Sequence, residues 1–327
     1  MLPEDSPRKL SLTRRSGDYI KETAGCPDAV PPPPRPVLTL LFRLVAALPL
    51  SVVHAAGGAL GRLICILSPT YRRRLTENLA QAGYTGKAIV RQAAAEAGKQ
   101  ALETPWVCMR PPAVVLTRIS VENEADFDRV MADGRPVMLL SPHLGCFEVI
   151  SRYYSAGRPE AAARPVTGVY RIPRKAILRK IVEIGRASAN VRLAPAEMRG
   201  VRMLMRAMKS REVVGILPDQ VPSQGDGVWA PFFGRWAYTM TLPARLALQY
   251  DALTVFVWAE RLPRGQGWRL HFEPLDARLS GDPASDVAFL NHRLEQVIRR
   301  HPAQYLWGYN RYKVPAGAPP PTSAPAR

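Results

Sequence analysis

Between Gly134 and His301 the chain alternates short apolar runs with stretches of helical periodicity, and that alternation admits few folds. The runs at 136–141, 166–170, 212–217, 253–260 and 268–273 read as strands. The stretches at 147–156, 176–184, 201–209, 242–250 and 285–301 read as helices. Strands that are apolar throughout need cover on both faces, which helices provide when they cross between parallel strands. The expected class is therefore α/β, a mixed, mainly parallel sheet flanked by helices. Pro263 and Gly267 mark a turn pairing the last two strands. With 47% hydrophobic residues the chain can bury a substantial core, and no internal repeat is visible.

Before the strands, apolar spacing predicts helices from Tyr71 to Met109, divided at Gly83–Gly86. Residues 37–67 are the membrane candidate. Leu44 to Gly61 carries no Lys, Arg, Asp or Glu and is bounded by Arg43 and Arg62. A perpendicular span takes roughly 20 apolar residues, and Pro49 and His54 interrupt this one. The expectation is an N-terminal membrane-associated helix, either a short span or embedded from one side, with a buried helix pair as the alternative. Gly57 and Gly61 have the spacing of close helix contacts, and Arg72, Arg73 and Arg74 suit a cytoplasmic flank. Residues 1–36, closing on four consecutive prolines, read as a disordered Pro-rich extension, and their apolar residues start too late for a secretory signal. Residues 68–313 are expected to form the main domain, and 314–327, rich in Pro and Ala, a disordered tail.

The net charge is +18, nearly all of it beyond residue 36. A basic body seeks nucleic acid, anionic headgroups or an acidic protein. Its Lys and Arg are dispersed rather than striped among aromatics, which speaks against nucleic acid. The cysteines Cys26, Cys65, Cys108 and Cys146 lack CxxC spacing and are few for the length, which argues against a disulfide scaffold and against a structural zinc site and fits a reducing compartment.

The sharpest local feature is Ser141-Pro-His143-Leu-Gly-Cys-Phe-Glu148. A buried strand ends, a histidine stands in the turn, and an acid opens the next helix. On one continuous helix, residues five apart lie about 140° apart and share no face. Across a strand–turn–helix the carboxylate can reach back, hold one imidazole nitrogen as N–H, and leave the other free to take a proton from a hydroxyl. A histidine capping a helix beside a solvated Glu fits the same residues.

His143-x4-Glu148 resembles the HX4(D/E) motif of glycerolipid-type acyltransferases. Val169-Tyr-Arg171, Gly185-Arg186, Gly200-Val-Arg202, Leu217-Pro-Asp219-Gln220, Pro231-Phe-Phe-Gly234 and His301-Pro-Ala-Gln-Tyr-Leu-Trp307 follow in order. Together, from about Val37 to Lys313 and including Glu77-Asn-Leu79, they resemble the lipid A biosynthesis acyltransferases of Gram-negative bacteria, the lauroyl/myristoyl transferase family. That resemblance implies a glycerolipid acyltransferase-like fold and transfer of a fatty acyl chain from an acyl–acyl carrier protein to a hydroxyl of a lipid A precursor at the cytoplasmic face of the inner membrane. His143 is then the general base and Glu148 its orienting acid. Arg186, Asp219 and Arg171 carry over as substrate-binding residues. The chain has no G-x-S-x-G nucleophile elbow, so direct attack is expected, with no thiol role for Cys146. No metal or organic cofactor is implied, because the thioester is already activated. Phe232 and Phe233 read as core or acyl-lining, Tyr305, Leu306 and Trp307 as core, and Arg311, Tyr312 and Lys313 as candidate headgroup contacts. The sequence departs from the family at Cys146-Phe147, where Asn-Trp is common. Two alternatives stay open: the same chemistry on another glycolipid, such as a phosphoinositide mannoside, or a non-catalytic protein that binds anionic lipid.

Overall fold

The structure is a computed structural model and describes residues 36–157, 164–170, 190–222 and 225–321. In chain order the elements are α1 (Pro36–Ala47), α2 (Leu50–Leu67), α3 (Pro69–Gln81), α4 (Lys87–Met109), α5 (Pro112–Leu116), β1 (Ile119–Glu122), α6 (Glu124–Ala132), β2 (Val137–Leu140), α7 (Glu148–Ala156), β3 (Val166–Tyr170) and β4 (Val191–Pro195). Then come α8 (Met198–Lys209), β5 (Val213–Ile216), β6 (Gly227–Phe232), β7 (Arg235–Met240), α9 (Leu242–Gln249), β8 (Leu253–Arg261), β9 (Trp268–Pro274) and α10 (Pro283–Arg300). The helix expected at 176–184 lies outside the described residues.

Seven strands form the main sheet in the order β1-β9-β8-β2-β5-β3-β4. Every pairing in it is parallel except β8 with β9. All four residues of β2 are buried, because side chains alternate between two covered faces. Met138 and Leu140 join a core built with Leu204, Leu246, Leu290 and Leu294 from α8, α9 and α10. Val137 and Leu139 join a second core with Trp106, Val149, Tyr153 and Trp268 on the opposite side. The expected mixed, mainly parallel α/β sheet is thus present, and β2 sits at its centre.

The five strands read from the sequence are β2, β3, β5, β8 and β9. The edge strands β1 and β4 were not foreseen; they are short and only partly buried, so their apolar pattern is weak. The β6–β7 hairpin, a separate two-stranded sheet, was also not foreseen. Its turn is Phe233-Gly234, with φ of 48° and 70°. Two positive φ values fit the tight turns that twisted hairpins favour, but a phenylalanine at the first position gives no turn signal. Here tertiary bonds hold it: Phe233 N–H donates to Glu295 Oε1 at 2.6 Å, and its carbonyl accepts from Gln81 Nε2 at 2.7 Å.

The N-terminal candidate is two helices rather than one, broken at Leu48-Pro49. Of these, α2 is long and apolar enough to cross a membrane, and 39% of it is buried in the protein. Its small residues press on α4. A Cβ on Gly61 would lie 2.0 Å from the Ala94 carbonyl oxygen, and one on Gly98 would lie 2.1 Å from that of Gly57. Only glycine allows the two backbones this close. His54 points the same way, 2.9 Å from Glu103 on α4. The other face leaves Val52, Leu60, Leu63, Ile64, Ile66 and Leu67 exposed, in line with exposed Leu40, Leu41 and Leu44 on α1.

Glu103 anchors this end of the molecule. It is fully buried and bonds His54 of α2, the guanidinium of Arg261 at the end of β8, and Trp268 Nε1 of β9. Burial alone pushes its carboxyl up, but Arg261 outweighs that and holds it down at about 2.

Candidate active site

The site is assembled at the carboxyl edge of the sheet, where ligands gather in α/β folds. Strand β2 ends at Leu140, and Ser141 N–H still donates to the Ile216 carbonyl of neighbouring β5 at 3.1 Å. Beyond this last ladder bond the two chains part. One carries His143, and the other carries Asp219 and Gln220.

The turn after β2 is fixed from two sides. Gly145 has φ of 58°, and a Cβ there would lie 1.7 Å from the Ala259 carbonyl oxygen. Its N–H donates to the Gln304 carbonyl at 3.0 Å, and Cys146 N–H donates to the Ala259 carbonyl at 3.2 Å. The His143 carbonyl accepts from Leu306 N–H at 3.0 Å, and Leu144 bridges Tyr305. The segment from Gln304 to Leu306 therefore clamps the histidine turn against β8. Phe147 sets the imidazole from the side, edge to face at 5.1 Å.

Asp219 grips His143 twice. Its Oδ2 accepts the His143 backbone N–H at 2.8 Å, and its Oδ1 lies 2.7 Å from Nδ1. An ionised carboxylate only accepts, so Nδ1 carries the proton and Nε2 presents its lone pair. The Gln220 amide Nε2 donates to that lone pair at 3.1 Å. Burial would raise the Asp219 carboxyl, but the charge and hydrogen bonds of His143, with Arg311 behind, overcome this and hold it below the usual carboxylate range. Burial pushes the Tyr305 hydroxyl well up, and the Asp219 charge adds to that. Arg311 is itself buried, donates to the Tyr238 carbonyl at 2.9 Å, and lies over the Phe232 ring.

Glu148 was expected as the carboxylate on the imidazole. The carboxylate on Nδ1 is Asp219. Glu148 is the first residue of α7, buried, within electrostatic reach of Arg152 one turn on and of Cys146. Arg152 binds the Val107 and Cys108 carbonyls at the end of α4. Strand pairing explains the outcome: β5 runs beside β2 in the same direction and delivers Asp219 directly to the turn. Arg171 and Arg186 lie outside the described residues. Cys146 is fully buried, and burial together with Glu103 pushes its thiol well above the usual value. A thiol held protonated and away from solvent is not a nucleophile.

Gln220, Tyr305 and Arg311 were not singled out for this site from the sequence. Gln220 had a signal, since it follows Asp219 in a motif already noted. Tyr305 likewise stands in a motif already noted but was read as core, and Arg311, expected as a headgroup contact, is instead buried; only the folding of the C-terminal segment brings the two behind Asp219. That segment also covers Phe232 and Phe233, which are buried in the core.

Comparison with known proteins decides the family. The pattern that defines bacterial lipid A biosynthesis acyltransferases matches residues 37–314. The chain belongs to that family. It is 25% identical over 284 residues to the lipid A biosynthesis lauroyltransferase of Escherichia coli K12, covering 84% of this chain and 90% of that protein. It is 26% identical over 218 residues to the lipid A biosynthesis palmitoleoyltransferase of the same organism, covering 66% and 69%. The same figures hold for a lipid A biosynthesis acyltransferase of Shigella flexneri. The family member described here is accordingly an O-acyltransferase of lipid A biosynthesis.

Proposed function

We propose that this acyltransferase moves a fatty acyl chain from an acyl–acyl carrier protein directly to a hydroxyl of a lipid A precursor, with His143 as general base. The observation that carries the reading is the imidazole held by Asp219 through Nδ1, with its Nε2 lone pair turned to the part-exposed side of the site. An acceptor hydroxyl replaces the Gln220 amide at Nε2 and gives up its proton there as its oxygen attacks the thioester carbonyl. The C–O bond forms, the C–S bond breaks, and the imidazolium returns the proton to the departing thiolate. Asp219 keeps the tautomer correct and stabilises the imidazolium. Glu148 supports the turn from the start of α7. Arg171 and Arg186 are retained as candidate contacts to substrate anions, since a guanidinium fork suits phosphate.

We place the enzyme at the inner membrane, on its cytoplasmic side. Both α1 and α2 leave large apolar side chains exposed, and Arg62, Arg72 and Arg73 are exposed in and just after α2, which suits a helix pair seated in a bilayer next to anionic headgroups. The net charge of +18 suits an acidic carrier protein as donor. The test is acyl transfer by the purified chain in detergent, with acyl–acyl carrier protein and a lipid A precursor, across a salt series. Transfer that slows with salt for the carrier-bound donor, but not for the coenzyme A ester, supports the reading. Equal use of both donors at every ionic strength overturns the donor assignment, and transfer only to a different glycolipid overturns the acceptor.

A further inference from the structure

Away from His143, three potential metal ligands converge on one face of the β8–β9 ladder. Glu260 projects from β8. His271 comes from β9, where it stands opposite Trp258 and diagonal to Glu260. His301 ends α10, which packs over the same face. The ligand atoms of Glu260, His271 and His301 all lie within 4.8 Å of one another. His271 Nε2 is 3.1 Å from Glu260 Oε2, and His301 Nδ1 is 3.9 Å from Glu260 Oε1. Two ligand atoms that share a tetrahedral zinc ion stand about 3.4 Å apart, given metal–ligand bonds near 2.1 Å. One of the two distances is shorter and the other longer than that value; they run to different oxygens of Glu260, and the set with one atom from each residue closes within 4.8 Å, so small side-chain rotations bring it to tetrahedral spacing.

The surroundings also match a metal centre. The second nitrogen of His271, Nδ1, faces Glu122 Oε2 of β1 at 3.5 Å. A ligating histidine characteristically directs its far nitrogen to a carboxylate, which fixes its tautomer and strengthens it as a donor. Trp258 stacks on the His271 ring at 4.7 Å with 4° between planes, so the imidazole is held flat and aimed. All three ligands are part-buried, so an ion has a route in. Two cations border the cluster: Arg300, beside His301, is paired to Glu273 at 2.6 Å, and Arg269 competes for the carboxylates themselves. It stands 3.9 and 4.0 Å from Glu122 and Glu260, and its side chain is 45% exposed, so it can turn into water.

We propose that Glu260, His271 and His301 bind a divalent transition-metal ion of the zinc class, with Glu122 orienting His271. Two imidazoles and one carboxylate favour zinc over magnesium or calcium, which prefer oxygen ligands throughout. The ion takes no part in the acyl transfer. It ties the end of α10 to β8 and β9 three residues before the clamp on the active-site turn begins. Three residues beyond His301, Gln304 bonds the Gly145 N–H and the Arg261 backbone.

The test uses the full chain in detergent, stripped with a chelator and titrated with zinc chloride against a chromophoric indicator. One zinc per chain is expected, with a higher melting temperature in its presence. His271→Ala and His301→Ala should each weaken binding at least tenfold, and Glu122→Gln by about 10–100-fold. His292→Ala, on the exposed side of α10, should leave the affinity unchanged. Visible absorption of the cobalt-loaded wild-type chain provides a reading that needs no variant to fold. A lack of stoichiometric zinc and cobalt binding by the wild-type chain, or unchanged affinity in both histidine variants, overturns the proposal and leaves an ion-pair cluster.

Discussion

Replacing Asp219 by asparagine asks which carboxylate governs His143. The substituted amide still offers an oxygen to the His143 backbone N–H, where Oδ2 of the native Asp219 accepts at 2.8 Å. At the other position it turns an amide N–H2 toward Nδ1, where the native Oδ1 accepts at 2.7 Å. The imidazole then either loses that bond or flips tautomer, placing a proton on the Nε2 that must receive one. General-base assistance of this kind contributes roughly 10²–10⁴-fold, so Asp219→Asn should lower kcat by that range, about 3–5 kcal/mol on the barrier. KM should move little, because the loss is felt in the transition state. The assay is steady-state acyl transfer beside a thermal melt, with Glu148→Gln measured in parallel. Glu148→Gln should lose less turnover than Asp219→Asn. If Asp219→Asn keeps kcat within fivefold of wild type, or if Glu148→Gln is the more damaging with both variants folded, the assignment of the Nδ1 carboxylate is refuted.

Gly145→Ala forces a left-handed backbone on a residue with a Cβ, costing about 1–2 kcal/mol before the collision with the Ala259 carbonyl is counted. The turn must move, and since displacements of about 1 Å at catalytic groups can cost 10²-fold, turnover should fall by tens-fold or more in the same transfer assay. Glu103→Ala takes one of two carboxylates from buried Arg261, which keeps Glu96 at 2.6 Å, and removes the acceptor of His54 and Trp268 Nε1; breaking such a buried charged network costs up to about 3–5 kcal/mol, readable by chemical denaturation. The Glu103 carboxyl is lowered from 4.5 to about 2 on folding, so its contribution, about 3 kcal/mol, is complete above pH 4.5 and is lost as pH falls toward 2. Glu103→Gln should flatten that acid limb of the stability curve, and an unchanged limb would count against the depressed carboxyl. Leu60→Gln, Leu63→Gln and Ile64→Gln combined remove exposed apolar side chains without touching the glycine seam on α4, so the chain should leave sedimented vesicles while keeping its melting temperature. Undiminished vesicle binding would argue against this face as the lipid contact.

The central strands were legible because burial on both faces makes them apolar runs, which local sequence displays directly. Residues such as Val137 and Met138 face different cores, yet both must be apolar. The histidine turn was legible for the same reason, as a polar sequence abruptly following such a run. What surrounds that histidine was not. His143 and Asp219 are 76 positions apart, and their contact exists only because β2 and β5 run side by side and in the same direction. Glu148 lies nearer in the chain, at the start of α7, yet the carboxylate bonded to Nδ1 is that of Asp219, so proximity in sequence did not give the partner of Nδ1. Along the sequence, His54 and Pro49 interrupt a single apolar segment. In the folded chain Pro49 marks a helix boundary, and His54 turns inward to Glu103. Sequence periodicity thus determined the five buried strands and the helices between them, since that depends on neighbours a few residues apart, while the edge strands and the β6–β7 hairpin, lacking a strong apolar pattern or turn signal, emerged only in the folded chain. Strand order and helix crossing decided which side chains share a charge or a proton, since electrostatic and hydrogen-bonding partners are chosen by distance in space.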